Sequence, residues 1–295
     1  MESKEAKIIE ISQENKRLLQ LNILELIVEV DRICRKNHIK YSLDGGTLLG
    51  AIRHKGFIPW DDDGDVIFTR EEYEKFYEAC KNDLDKEHFF LQDYRTDPGY
   101  RWGYAKMRLL GTDVVRKGHE HLTFKSGVCI DVFVNDNVPD NPVSRRLYYG
   151  LNFALRKILY SEMGRTQANN ALLRGWYRVL FLIPKKTCFN IRNKVSERVN
   201  KKDTKLMSHL LFPYPRKMCK YGMPSECFKE NIETEFEGMK FSIFKEYDKY
   251  LKILYGDYMK LPPEEKRKGQ LNPVKLELHE VTYDEIKNRY VQQFK

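Results

Sequence analysis

The chain has 295 residues, 41% hydrophobic and 13% aromatic, enough apolar material to bury a substantial core and to exclude a disordered tail protein. Lys and Arg exceed Asp and Glu by nine, so the surface favours anionic partners such as nucleotides, phosphorylated glycans, nucleic acid or an acidic membrane face. The six cysteines form no C-x-x-C pair, which argues against a zinc ribbon or a dense disulfide framework and fits reduced thiols in a cytoplasmic protein.

From Leu18 to Cys34 apolar residues recur at three-and-four spacing, which predicts an amphipathic helix. Ile39, Tyr41 and Leu43 alternate as a strand running into the turn Asp44-Gly45-Gly46-Thr47, and Leu48 to His54 reads as helix. Gly56 to Trp60 is a loop, because Pro59 lacks a backbone donor and biases Ile58 towards extended backbone. Asp61-Asp62-Asp63-Gly64-Asp65 then enters the apolar strand Val66-Ile67-Phe68, and Thr69 with Glu72 reads as a capping box for the next helix. Further strands are predicted at Phe89 to Asp93, Tyr104 to Leu110 and Val128 to Val134. Beyond Pro142 the pattern is largely helical, with helices predicted at Arg145 to Tyr160, Leu172 to Ile183, Phe189 to Val199 and Phe241 to Tyr255, and a capped terminal helix opened by Thr282 and Glu285.

Two features bear on membranes. The chain opens without an apolar secretory run and contains no stretch approaching the roughly 20 apolar residues of a membrane span, so a soluble or peripheral protein is expected. Trp176 to Pro184 is apolar and flanked by Arg174, Arg178, Lys185 and Lys186 in the manner of an interfacial helix, although core packing is the preferred reading.

The acidic cluster carries the chemistry. Side chains alternate along a strand, so Asp63 and Asp65 should project to one side and repel each other unless a divalent cation lies between them. Asp131 sits inside the otherwise apolar Val128 to Val134, where an unpaired charge is costly, and it too calls for a cation. Three carboxylates without nearby His or Cys make a hard oxygen site suited to magnesium, or to manganese, together with substrate phosphates. A calcium loop starting at Asp61 is disfavoured, since Val66 stands where that loop needs glycine. Gly45-Gly46-Thr47, between a strand and a helix, would let backbone amides approach a phosphate. Arg53, His54, Lys55, Lys106 and Arg108 could neutralise phosphate oxygens.

The run from Leu43 through Gly45-Gly46-Thr47, Arg53 and Pro59-Trp60 to Asp61-Asp62-Asp63-x-Asp65 closely resembles the signature of the LicD phosphotransferase family, and the likeness extends over most of residues 25 to 270. That family includes phosphocholine transferases and fukutin-related enzymes. The resemblance implies a nucleotidyltransferase fold and transfer of a phosphorylated alcohol from a cytidine-diphosphate donor to a cell-surface glycan or its lipid-linked precursor, with release of CMP. It maps the family's metal ligands onto Asp63, Asp65 and Asp131, with Asp61 as a supporting acidic residue. Gly64 departs from the apolar residue usual at its position.

The expected architecture is therefore α+β. A nucleotidyltransferase-type mixed sheet with flanking helices would occupy residues 1–140, and a mainly helical region, residues 141–295, would pack on it. Asp61 or Asp63 would accept the acceptor's proton. If choline is the cargo, Trp60, Trp102, Tyr100 and Tyr104 are candidates for an aromatic box around its ammonium. Two alternatives keep other classes in view. A nucleotidyltransferase would consume a nucleoside triphosphate and release pyrophosphate; a basic nucleic-acid-binding protein is disfavoured because the sequence has no recognisable basic recognition helix or aromatic RNA-binding motif. The charge also accommodates a peripheral contact with the anionic inner face of the cell membrane.

Overall fold

A computed structural model describes residues 7–209, 214, 219 and 221–294. The first helix, α1 (Gln13–Lys36), is capped by the Ser12 hydroxyl and runs a full turn further upstream than its apolar stripe. Leu24, Leu26, Ile27, Val30 and Ile33 are fully buried, so α1 is a central core helix contacting the sheet and several other helices. The chain continues through β1 (Ser42–Leu43), α2 (Gly45–Arg53), β2 (Asp65–Thr69), α3 (Arg70–Asp83), β3 (Phe89–Gln92), β4 (Ala105–Leu109), β5 (Asp113–Arg116) and β6 (Cys129–Val138).

All of these strands but β5 build one mixed sheet in the order β1-β2-β6-β4-β3. β6 is its axis: it runs parallel to β2, while β4 pairs antiparallel with its first half. The segment expected as a turn, Asp44 to Thr47, instead forms the cap position and first turn of α2. Thr69 caps α3 as expected, but Glu72 accepts the Lys40 amide instead of closing the box; at the other end of the chain the Thr282–Glu285 box closes fully.

Four helices follow: α4 (Pro142–Leu159), α5 (Ser161–Gln167), α6 (Ala171–Phe181) and α7 (Lys185–Val199). β7 (Leu206–His209) then pairs with the far half of β6, and β8 (Met223–Pro224) with β7. Around α4 and α7 a satellite core forms from Val138, Tyr148, Leu155, Leu159, Cys188 and Phe189.

The helix predicted at Phe241 to Tyr255 is corrected. β9 (Asn231–Phe236) and β10 (Met239–Phe244) form a hairpin there, and helix begins only at α8 (Tyr247–Tyr255). The two-residue connection, Glu237 and Gly238, has positive φ at both positions, as a tight hairpin turn requires. Phe241 and Ile243 point the same way into the core, a period of two that overrides the helical reading of the longer window. β11 (Pro273–Glu277) returns to pair with β5, and α9 (Tyr283–Gln292) packs on α1. Among the described residues no helix is long and apolar enough to cross a membrane.

Candidate active site

Strand register assembles the first part of the site. Asp65 on β2 lies directly beside Asp131 on β6, and Asp131 lies directly across from Lys106 on β4. Residues paired in register share a face, so these three side chains form a row over three adjacent strands. Lys106 donates a hydrogen bond to the Asp131 carboxylate. Burial works against the ammonium charge, yet Asp131, Cys129 and Tyr104 together outweigh it and hold Lys106 above its ordinary value.

The loop before β2 supplies the second part. Gln20 of α1 donates to the carbonyls of Ile58 and Asp61 and pins the loop to the core. Within the acidic run the side chains divide their roles. Asp62, which also borders the cavity, accepts the amides of Gln270 and Leu271 at 3.0 and 2.9 Å, so it serves as a structural clamp. The Asp61 and Asp63 carboxyls are close neighbours that repel when both are charged. Burial, then the charge of Asp63, pushes Asp61 up to about 8. Burial and Asp131 raise Asp63; burial, Asp63 and Asp131 raise Asp65. Each carboxylate thus feels the others, the condition expected of a cluster built to receive positive charge.

The glycines at the start of α2 explain how so many carboxylates fit. A Cβ on Gly45 would stand 2.8 Å from Asp65 Oδ2, and one on Gly46 2.8 Å from Asp61 Oδ2. Their missing side chains are filled by the acids, which lie at the positive end of α2. Thr47 Oγ1 accepts the Asp65 amide at 2.9 Å and fixes the start of β2. Gly64 is explained in the same way: a Cβ there would meet Ile23 at 2.5 Å and Ile130 at 2.9 Å, so α1 and β6 close over bare backbone.

A cavity of about 440 Å³ opens beside this row, with Asp63, Lys106 and Asp131 on its wall. Trp102, Tyr104 and Phe124 give it aromatic lining, and Arg101, Arg116 and Arg156 add positive charge. Of the expected aromatic box, Trp102 and Tyr104 reach the cavity. Trp60 does not: it packs beneath Arg267 and against His54. Tyr100 is fully buried behind Phe124.

Two expected phosphate ligands are otherwise engaged. Arg53 donates to the carbonyl of Tyr258 at 2.7 Å and ties the loop after α8 to α2. Arg108 touches the cavity, but it is buried and bound to Gln92 and to the Gly127 carbonyl. Sequence reasoning passed over Asp44, which receives the Tyr250 hydroxyl at 2.5 Å and is pushed by burial to about 6. It also missed Arg116 and Arg156, whose strand and helix carry no motif.

Among the described residues, no three His, Cys, Asp or Glu side chains already stand as a closed metal cage. The donor chemistry nonetheless suits a hard divalent cation: oxygens only, partly or fully buried, and in mutual repulsion.

Residues 38–133 match the LicD/FKTN/FKRP nucleotidyltransferase domain, a span that contains Asp44, the acidic run, Lys106 and Asp131. Over 268 residues the chain is 34% identical to the lipopolysaccharide cholinephosphotransferase LicD of Haemophilus influenzae, which covers 85% of this chain and 93% of that protein. The chain belongs to the LicD family. Shorter likenesses join it to uncharacterised proteins of Rickettsia prowazekii, 35% identical over 80 residues, and Rickettsia typhi, 44% identical over 52. Those matches span 21% and 18% of this chain and 30% and 17% of theirs. LicD family membership makes the chain a transferase, and its acidic row and cavity lie within or against the family domain.

Proposed function

We propose that this chain moves phosphocholine from a cytidine-diphosphate donor to a hydroxyl of a lipopolysaccharide-type glycan or its lipid-linked precursor, releasing CMP. The observation that carries this reading is the row Asp65, Asp131 and Lys106 beside a cavity lined by both cationic and aromatic side chains. A phosphodiester with a quaternary ammonium tail needs both surfaces.

In this reading Lys106 and Arg116 hold the donor's phosphate oxygens. Trp102, Tyr104 and Phe124 receive the ammonium. The acceptor oxygen attacks the phosphorus bearing choline, a new P–O bond forms as the bond to CMP breaks, and CMP departs with that electron pair. Asp63, which faces the cavity, takes the hydroxyl proton, with Asp61 beside it. Magnesium, or manganese in its place, would be held by Asp63, Asp65 and Asp131; when bound it neutralises charge on the diphosphate. The site would sit at the cytoplasmic face of the membrane.

The test is product analysis. Incubation with CDP-choline, magnesium and a lipooligosaccharide acceptor should release CMP in step with choline incorporation. Pyrophosphate release from a nucleoside triphosphate, without CMP from CDP-choline, would instead establish nucleotidyl transfer. Magnesium should raise the melting temperature of the wild type and leave Asp63→Asn unmoved.

A further inference from the structure

The helix expected to pack in the core does so on one face only. On α6 Leu172, Trp176 and Val179 recur at helical spacing on the side opposite the buried Tyr177, and Leu182 continues the stripe beyond the helix end. Leu172 is 87% exposed, Trp176 57%, Val179 56% and Leu182 78%. One exposed leucine needs no explanation, but a continuous stripe with a Trp at its centre does.

The charge around the stripe identifies what covers it. Between residues 141 and 202 fourteen Lys and Arg stand against two acids, Glu162 and Glu197, so this segment alone carries more positive charge than the +9 of the whole chain. α6 itself contains Arg174 and Arg178 and no acidic residue, and Lys186 follows at the start of α7. A second copy of this chain would bring equal positive charge to the same contact and be repelled. A surface combining negative charge with an apolar layer meets both requirements.

We infer that α6 is a monotopic docking helix that lays its Leu172–Trp176–Val179 stripe into an anionic lipid bilayer, with exposed basic side chains such as Arg178 and Lys186 against the headgroups. The placement suits the site. Phe181 at the end of α6 lies under the guanidinium of Arg101, a wall residue of the cavity, with 4.7 Å from Arg101 Cζ to the ring centroid. The last turn of α4 contributes Arg156 and Leu159 to that same wall. A chain seated on α6 therefore holds its cavity next to the bilayer, where a lipid-linked acceptor is presented. That last consequence rests on the transferase reading above; the docking itself does not.

The experiment is sedimentation of the full chain with vesicles of phosphatidylglycerol and phosphatidylcholine, compared with pure phosphatidylcholine, at low and high salt. The chain should sediment with the anionic vesicles, and Trp fluorescence should shift to shorter wavelength. The double variant Leu172→Glu, Val179→Glu should bind at least about tenfold more weakly, because two apolar side chains are lost from the contact. Its melting temperature should match the wild type, since both positions are exposed; if it fails to fold, Leu172→Ser with Leu182→Ser takes its place. Arg178→Glu with Lys186→Glu should weaken binding to anionic vesicles and flatten its salt dependence. The inference is overturned if wild-type chain leaves both vesicle types unbound, or if the stripe variants bind as well as wild type. A stable dimer dissolved by the stripe variants, or tight salt-dependent binding to duplex DNA without vesicle binding, overturns it equally. None of these readings depends on turnover.

Discussion

Gly46 and Asp61 fill one space: the Asp61 carboxylate lies where the side chain of any other residue at position 46 would begin, 2.8 Å from that Cβ. The obstructing atom is the end of a side chain, so Gly46→Ala can be accommodated by turning Asp61 aside. The cost falls on the acidic cluster and not on the core. Gly46→Ala is expected to keep its melting temperature within a few degrees while transfer drops roughly 10- to 100-fold, as misplaced reacting groups do. Gly64→Ala makes the contrast, because its Cβ would meet Ile23 and Ile130 in the packed core. There stability should fall by about 1–3 kcal/mol. Thermal melts alongside kinetics separate the two.

How much of this was legible beforehand can be judged from the same loop. The acidic run, its entry into a strand and the isolated Asp131 could be read directly, because a charge in an apolar strand is conspicuous in any sequence. That Asp62 is engaged as a clamp could not, since its partners, Gln270 and Leu271, lie more than 200 residues on. Arg53 failed for the same reason: its acceptors are carbonyls after α8, and a local pattern cannot show them. The β9–β10 hairpin was missed because its Phe and Ile residues also satisfy a helical period when joined to α8. Core packing of Trp176 was the simpler expectation because periodicity shows which face of a helix is apolar but not whether anything covers it.

Asp63→Ala and Asp65→Ala should each abolish CDP-choline-dependent transfer while the fold survives. Both carboxylates are raised by burial and by neighbouring acids, so removing one relieves repulsion inside the cluster. Circular dichroism and melting curves in a chelating buffer should therefore match or exceed wild type. Wild-type turnover by the double variant would remove the acidic row from the chemistry.

Lys106→Met keeps the length of the side chain and deletes its charge. Loss of one fixed positive group facing a transferring phosphoryl should lower kcat by about 100-fold. Because Asp131 is 26% exposed, water takes over part of the lost partnership and the stability cost stays near 1 kcal/mol. A large fall in melting temperature with unchanged kcat would make Lys106 a purely structural residue.

Asp62→Ala tests the division of labour within the acidic run. It leaves the Gln270 and Leu271 amides without their acceptor, and the expected loss is about 2–3 kcal/mol of stability. Residual folded protein should still turn over within about tenfold of wild type. Chemical denaturation supplies the first number and initial rates the second.

His209 gives the fold its own acid sensitivity, apart from the reacting groups. Its ring lies between Phe133 and Tyr214, and burial lowers its pKa to about 4. The unfolded chain takes up this proton near pH 6.5, whereas the fold resists it until about 4. The unfolded state thus binds more protons across that window, and stability must rise with pH there. The contribution is fully present above 6.5, declines as pH falls, and at about 4 has cost at most about 3 kcal/mol. The raised carboxyls of Asp44 and Asp61 pull the opposite way over part of the range, while buried Asp136, held below the usual carboxylate value against burial by Arg70, loses its contribution only at lower pH. The clean readout is consequently the difference between wild type and His209→Gln. Plotted against pH, that difference should change between 6.5 and 4 and be flat above 7. A difference independent of pH would mean that the buried ring takes up its proton as readily in the fold as in the unfolded chain.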